Sequence, residues 1–85
     1  MFRIGLHGSA TRVLLGRLVG PNDTVQWVVL VQDDSGAPIE FLVVAHGGRV
    51  DSATSAVEDG LLVAGYAHER AAVPGAWTRA WRITV

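Results

Sequence analysis

Residues 39–60 read I-E-F-L-V-V-A-H-G-G-R-V-D-S-A-T-S-A-V-E-D-G and pass from a strand pattern to a helical one across two glycines. Asp51–Asp59 is the only stretch predicted to be helical. Asp51 or the serine after it can cap its start, and Gly60 can end it. The segment Ile39–His46 before the glycines is predicted to be a strand. Its core face is expected to carry Ile39, Phe41, Val43 and Ala45.

Two predicted strands precede this stretch and two follow it. Phe2, Ile4 and Leu6 alternate with small or polar residues, and Thr11–Val19 resumes the pattern, so one long strand bent at a glycine explains both parts. Trp27 and its valine neighbours at spacing two predict a second strand with a buried face. This second strand spans Thr24–Gln32. The last two strands are predicted at Leu61–Glu69 and Ala76–Val85. The predicted turns are Gly20–Asp23, Asp33–Gly36 and Val73–Gly75.

Five strands with one short helix between the third and the fourth predict an all-β domain of the OB-fold type. The OB-fold is a small, partly open, five-stranded Greek-key barrel. An SH3-like barrel is the nearest alternative, but it does not normally place a helix at that point. The chain has 85 residues, and residues 1–85 are expected to form a single domain.

Composition limits how this domain is stabilised and where it works. A chain of this length buries only about 60% of its unfolded surface, which leaves a small core. The sequence holds no Cys, so neither disulfides nor thiolate zinc sites can supplement that core. We therefore expect a homodimer or a higher oligomer. No apolar run approaches the roughly 20 residues of a membrane span, and we expect a soluble, cytoplasmic protein without a membrane partner.

Catalytic arrangements are not found in the sequence. The serines have no nearby histidine to activate them, and the glycine spacing matches neither a phosphate-binding loop nor a dinucleotide-binding loop. The three histidines are far apart in the chain. We therefore predict a non-enzyme with no catalytic residue, no cofactor, no metal site and no small-molecule substrate.

Three segments carry a resemblance to a known family. Met1–Gly8 looks like the first strand of the bacterial single-stranded DNA-binding proteins, and Val25–Leu30 is similar to their second strand. The layout of Val43–Gly48, a short helix and then Asp59–Gly65 is the most specific part. The same layout resembles the primosomal replication protein N family, whose members are short and dimeric. The resemblance spans nearly the whole chain.

The resemblance implies non-sequence-specific binding of single-stranded DNA, or RNA, in replication, repair or recombination. Such binding needs cations along a groove and flat side chains, each stacked base contributing roughly 1–3 kcal/mol. Spacing by two places Trp77, Arg79 and Trp81 on one face of the last strand, although Trp81 is also a core candidate. Acidic residues concentrate in the helix, which is expected to face away from a bound strand. The predicted nucleic-acid-binding residues are Arg12, Arg17, His46, Arg70, Trp77, Arg79 and Arg82.

An alternative function follows from positions at which the sequence departs from the family. Where the family stacks bases on aromatic residues, this chain has Glu40, or Phe41 if the strand shifts by one, and His46. The stretch His68–Gly75, where the family is rich in Lys or carries a Trp, contains a single Arg. The alternative is a protein-interaction or assembly module that does not bind nucleic acid.

Overall fold

The computed structural model of the protein describes residues 2–85 and contains five strands and one α-helix. The helix lies between the third and the fourth strand, as the sequence predicts. A single turn of 3-10 helix at Pro21–Asp23 joins the first two strands. The elements are β1 Ala10–Val19, β2 Val25–Asp33, β3 Pro38–His46, α1 Val50–Ala64, β4 Ala67–Arg70 and β5 Arg79–Thr84.

All five strands pair antiparallel in one sheet with the order β3-β2-β1-β5-β4. The first and last strands are therefore neighbours, with β1 at the centre of the sheet. Strands β3 and β4 form its two edges, and no pairing joins them within residues 2–85. The structure is thus a mostly-strand fold with an open antiparallel sheet and one helix, without the closed barrel.

The helix extends beyond its predicted end. It continues past Gly60 to Ala64 and stops at Gly65, whose φ of 101° is a left-handed conformation suited to glycine. The residues Leu61–Ala64 were predicted to begin a strand because short apolar runs do not separate strand from helix by periodicity. Leu61 instead continues the buried side of the helix, four residues after Val57. The predicted fourth strand accordingly shortens to β4, and the fifth shortens to β5.

Residues 2–9 do not form the predicted first half of a bent strand. The segment is irregular, with Ile4 buried and Leu6 exposed. The hydroxyl of Tyr66 donates a hydrogen bond to the carbonyl oxygen of Gly5 (2.8 Å) and accepts one from the backbone N–H of His7 (2.6 Å). These contacts fix the segment to the end of α1, and β1 begins only at Ala10.

One face of the sheet, here called the helix face, packs against α1 and the N-terminal segment. Alternation along each strand directs the apolar side chains of this face into the core. Trp27 and Trp81 are both buried there, as the sequence predicts for Trp27 and offers as one option for Trp81. The core side chains on this face are Val13, Leu15, Trp27, Val29, Val31, Trp81 and Ile83.

Candidate functional site

The opposite face of the sheet, here called the helix-free face, carries no α-helix from residues 2–85. Side chains of directly paired residues share a face, so the strand register assigns its members. One cross-strand row is Phe41–Leu30–Leu14–Ala80, and the next is Val43–Val28–Gly16. Arg12 and Arg82 lie beyond the first row, and Leu18, Gln26 and His46 form the row at the other end.

Strand β3 exposes two of the four residues that were predicted to be buried, while Ile39 and Ala45 pack against the core as predicted. Phe41 is 57% exposed and Val43 is 46% exposed on the helix-free face, while Leu42 packs against the core. The prediction was wrong for Phe41 and Val43 because β3 is apolar on both faces and its register shifts at Ile39 and Val44 interrupt the alternation. As a result, two large apolar side chains are exposed on this face, next to Leu14, Val28 and Ala80, which are buried.

Trp77 lies on the helix-free face, over Gly16. A β-carbon on Gly16 would come within 2.8 Å of the Trp77 ring, which shows how closely the indole covers the backbone there. Trp81 lies on the opposite face, buried under the helix. The prediction that Trp77, Arg79 and Trp81 share a face is wrong, because β5 begins at Arg79 and Trp77 belongs to the preceding loop.

A shallow groove of about 200 Å³ lies beside Trp77 on this face. Phe41 and the half-exposed Leu18 form part of its wall, and Val28 lies among its lining residues. Apolar side chains thus surround an indole at the surface. The groove is lined by Gly16, Arg17, Leu18, Val28, Phe41, Ala76 and Trp77.

Arg12 and Arg82 lie at one end of the helix-free face, directly opposite each other across β1 and β5. The guanidinium Nη1 of Arg82 donates a hydrogen bond to Glu69 Oε1 at 2.9 Å. A cavity of about 470 Å³ at this end is lined by Arg12 together with Asp33 and Asp34. Carboxylates therefore offset the two arginines at the place where they meet.

Asp33 is held in its charged form by the turn that follows β2. Its Oδ1 accepts hydrogen bonds from the hydroxyl and N–H of Ser35 and from the N–H of Ala37. These bonds, the Ser35 hydroxyl first, lower the pKa of the Asp33 carboxyl below its ordinary value. The negative charge beside Arg12 is therefore present well below neutral pH.

The other predicted binding residues lie elsewhere. His46 is at the far end of the helix-free face, in the Leu18 row, where its Nδ1 is 3.4 Å from Gln26 Nε2. Arg12 and Leu18 are six positions apart on β1, a span of about 20 Å at about 3.3 Å per residue. The register places Arg17, Arg70 and Arg79 on the helix face, where they pair with Trp27, Trp81 and Leu15, respectively. The seven predicted residues thus form no continuous cationic stripe within residues 2–85.

Arg70 forms an ion pair with a residue of the helix α1. Its Nε lies 3.1 Å from Glu58 Oε2, and the same oxygen accepts a hydrogen bond from Trp81 Nε1 at 2.9 Å. Hydrogen bonds lower the pKa of Glu58, the one from Arg70 more than the one from Trp81, whereas burial raises it. Glu58 therefore faces the sheet, and the expected orientation of the acidic helix away from a bound strand stays a prediction. Its spacing of three residues from the buried Leu61 is the signal that could have revealed this.

Comparisons with protein-family models, curated proteins and solved structures gave no significant match. The resemblance to single-stranded DNA-binding proteins stays a prediction. No helix in residues 2–85 is long and apolar enough to cross a membrane. Across the same residues, no three acidic or histidine side chains cluster in a way that could hold a metal ion.

Proposed function

We propose that this chain is a protein-interaction or assembly module and that the helix-free face is its binding surface. The observation that carries the proposal is the exposure of Leu18, Phe41 and Val43, at 50%, 57% and 46%, on one sheet face beside Trp77. Contiguous exposed apolar side chains on a soluble domain mark protein-interaction surfaces. Aromatic residues are enriched at such surfaces.

The charges support the same function. Arg82 is paired with Glu69, and Arg12 shares its cavity with Asp33 and Asp34. Arg70 is bound to Glu58 on the helix. The middle rows of the helix-free face contain only apolar residues and glycine, and Arg17 is the one cationic residue among those that line the groove beside Trp77.

Binding of single-stranded nucleic acid is the second candidate, favoured by one specific arrangement. Phe41 and Trp77 lie on the same face as Arg12 and Arg82, so two rings and two cations face one solvent region. The OB-fold assignment belongs to this candidate. It draws support from the β1–β5 adjacency and from the helix between β3 and β4, and it requires the sheet to close.

A fluorescence titration at low salt distinguishes the two candidates. The purified protein is titrated with oligothymidine and with duplex DNA while tryptophan emission is followed. We expect no change in emission and no binding of either nucleic acid. Oligothymidine binding that weakens in both Trp77→Ala and Arg12→Ala, but not in the control Arg49→Ala at the start of α1, would overturn the proposal. Three to five phosphate contacts would then give a log–log salt slope of roughly −2 to −3.5.

A further inference from the structure

The two edges of the sheet differ in how they are protected from pairing with another chain. Strand β4 has only four residues, Ala67–Arg70, and its charged side chains reach ion-pair partners. Short, charged strands are a common way to block edge-to-edge association. Strand β3 has nine residues, Pro38–His46, and a single acidic residue, Glu40. The unprotected edge is therefore β3.

Contacts within the chain already occupy the one acidic side chain of β3. Glu40 Oε1 lies 2.7 Å from His7 Nε2 and accepts a hydrogen bond from the Gly5 N–H at 3.2 Å. This carboxylate is on the helix side, where it meets the N-terminal segment. Glu40 consequently does not place a free charge in the path of an incoming strand.

The outer backbone of β3 is free to accept a strand. Apart from the ladder with β2, residues 38–46 make no backbone–backbone hydrogen bond to any other described residue. Register shifts in that ladder leave Ile39 and Val44 as extra residues on β3, so the regular part is Glu40–Val43. A symmetric pairing must therefore be centred on this short regular part.

We infer that two copies of this chain join through their β3 strands, antiparallel, about a two-fold axis at Leu42. The two five-stranded sheets then continue as one, with both helices on the same side. In this register Phe41 of each copy faces Val43 of the other, and Leu42 faces its own equivalent. The inference deepens the proposed function and rests on it, because it names a second copy as the partner of the apolar surface.

Charge and exposure select this register. Pairing centred on Glu40 would place two carboxylates directly opposite each other, which is destabilising. Pairing centred on Phe41 would leave Val43 facing the irregular Ile39. Only the Leu42-centred pairing lets the two exposed apolar side chains, Phe41 and Val43, cover each other on the helix-free face. The β3 edge is thus complementary to itself.

A pair of double variants tests both the edge and the register. In Phe41→Lys/Val43→Lys, each lysine faces a lysine of the second copy, so we expect the dimer to be lost. In Phe41→Lys/Val43→Glu, each lysine faces a glutamate, so we expect the dimer to persist and to weaken with added salt. Both positions are exposed in the single chain, so neither variant removes a core contact. Molar mass by light scattering across a concentration series is the readout.

The outcomes separate failure of the inference from failure of the proposed function. If the wild type associates but both double variants are monomeric, the apolar face is the interface and the β3 pairing is wrong. If the wild type is monomeric at high micromolar concentration, the pairing is overturned, whereas the proposed function is decided by the oligothymidine titration described above.

A cysteine cross-link provides an independent measurement, since the chain contains no Cys. Directly opposed residues have Cα atoms about 4.5–5.5 Å apart, within the range of a disulfide. We expect Leu42→Cys to form a covalent dimer on mild oxidation, at concentrations where Ser55→Cys on the exposed side of α1 does not. Equal cross-linking of the two variants, or none at Leu42→Cys in an associating protein, would overturn the pairing.

Discussion

The six-membered ring of Trp77 occupies the space above Gly16 that a side chain would otherwise fill. A β-carbon at Gly16 would lie 2.8 Å from both Cε3 and Cζ3 of the indole. A loop residue thus covers the central strand of the sheet on the face without a helix, and the position opposite it must be glycine. This contact shapes the groove next to Phe41.

Replacing Gly16 by Ala should force the Trp77 ring away from the sheet. We expect Gly16→Ala to lower the free energy of unfolding by about 1–3 kcal/mol, the usual cost of overpacking. Urea denaturation followed by tryptophan emission measures it. Gly8→Ala is the matched control, because a β-carbon there has nothing within 4 Å. Equal effects of the two substitutions would contradict the Trp77–Gly16 contact.

The effect of Gly60→Ala on the free energy of unfolding should depend on whether the Phe2 ring is present. In a helix interior, Gly→Ala normally stabilises by about 0.5–1 kcal/mol. Here the added carbon would meet the Phe2 ring at 2.8 and 2.9 Å. We expect Gly60→Ala to give that gain in a Phe2→Ala background and to lose it in the wild type. Denaturation of the four proteins of this double-mutant cycle tests the coupling, and identical effects in both backgrounds would refute it.

The two tryptophans at Trp27 and Trp77 should differ in their contribution to stability. Trp27 is 5% exposed and its Nε1 donates to the carbonyl oxygen of Gly48 at 3.2 Å, whereas Trp77 is only partly buried. Trp27→Ala should therefore cost about 3–5 kcal/mol, as for other buried aromatics, and Trp77→Ala clearly less. Thermal and urea unfolding of both variants provide the comparison. A larger loss for Trp77→Ala would show that the helix-free face, and not the helix face, holds the main core.

Acid should weaken the protein partly through Glu58. Its pKa is held below the ordinary value of 4.5 by Arg70 and Trp81, so the folded state binds this proton less readily than the unfolded state. The contribution is therefore full above pH 4.5 and declines as the pH falls through the lowered folded-state pKa. At pH 7, Glu58→Gln should lose about 1–3 kcal/mol, as expected for hydrogen bonds to a charged group.

The stability of Glu58→Gln should consequently depend less on pH below 4.5 than that of the wild type. Glu69→Gln is the control, because the Glu69–Arg82 pair is 65% and 70% exposed and such pairs contribute little. Urea midpoints measured from pH 3 to pH 7 give the comparison. Parallel pH profiles for the wild type and Glu58→Gln would disprove the role assigned to Glu58.

Sequence reasoning predicted the elements better than their faces. Local sequence patterns were enough to predict the turns after β1 and β2, the buried face of β2 and the helix between β3 and β4. The end of the helix did not, because the reason for Gly60 is the ring of Phe2, which is 58 positions earlier in the sequence. Long-range contacts of this kind leave no trace in local periodicity.

The candidate surface was predictable in composition but not in arrangement. The sequence identified Trp77, Arg12 and Arg82, which do share a face. It placed Phe41 in the core, because β3 carries apolar residues on both faces and only pairing with β2 decides between them. It predicted that Arg70 binds nucleic acid, because the ion pair of Arg70 on β4 with Glu58 on α1 forms only when the helix packs against the sheet. Such assignments depend on register and packing, which emerge only from the assembled sheet.

The most direct test of the helix-free face as a binding surface is the molar mass of the protein across a concentration series. Static light scattering should give a mass above the 9.0 kDa of one chain at high micromolar concentration. Phe41→Ser should return the protein to the monomer mass, while Leu62→Ser, a similarly exposed apolar position on α1, should associate as the wild type does. A wild-type monomer throughout the series would contradict self-association, and equal association of Phe41→Ser and Leu62→Ser would contradict the helix-free face as its interface.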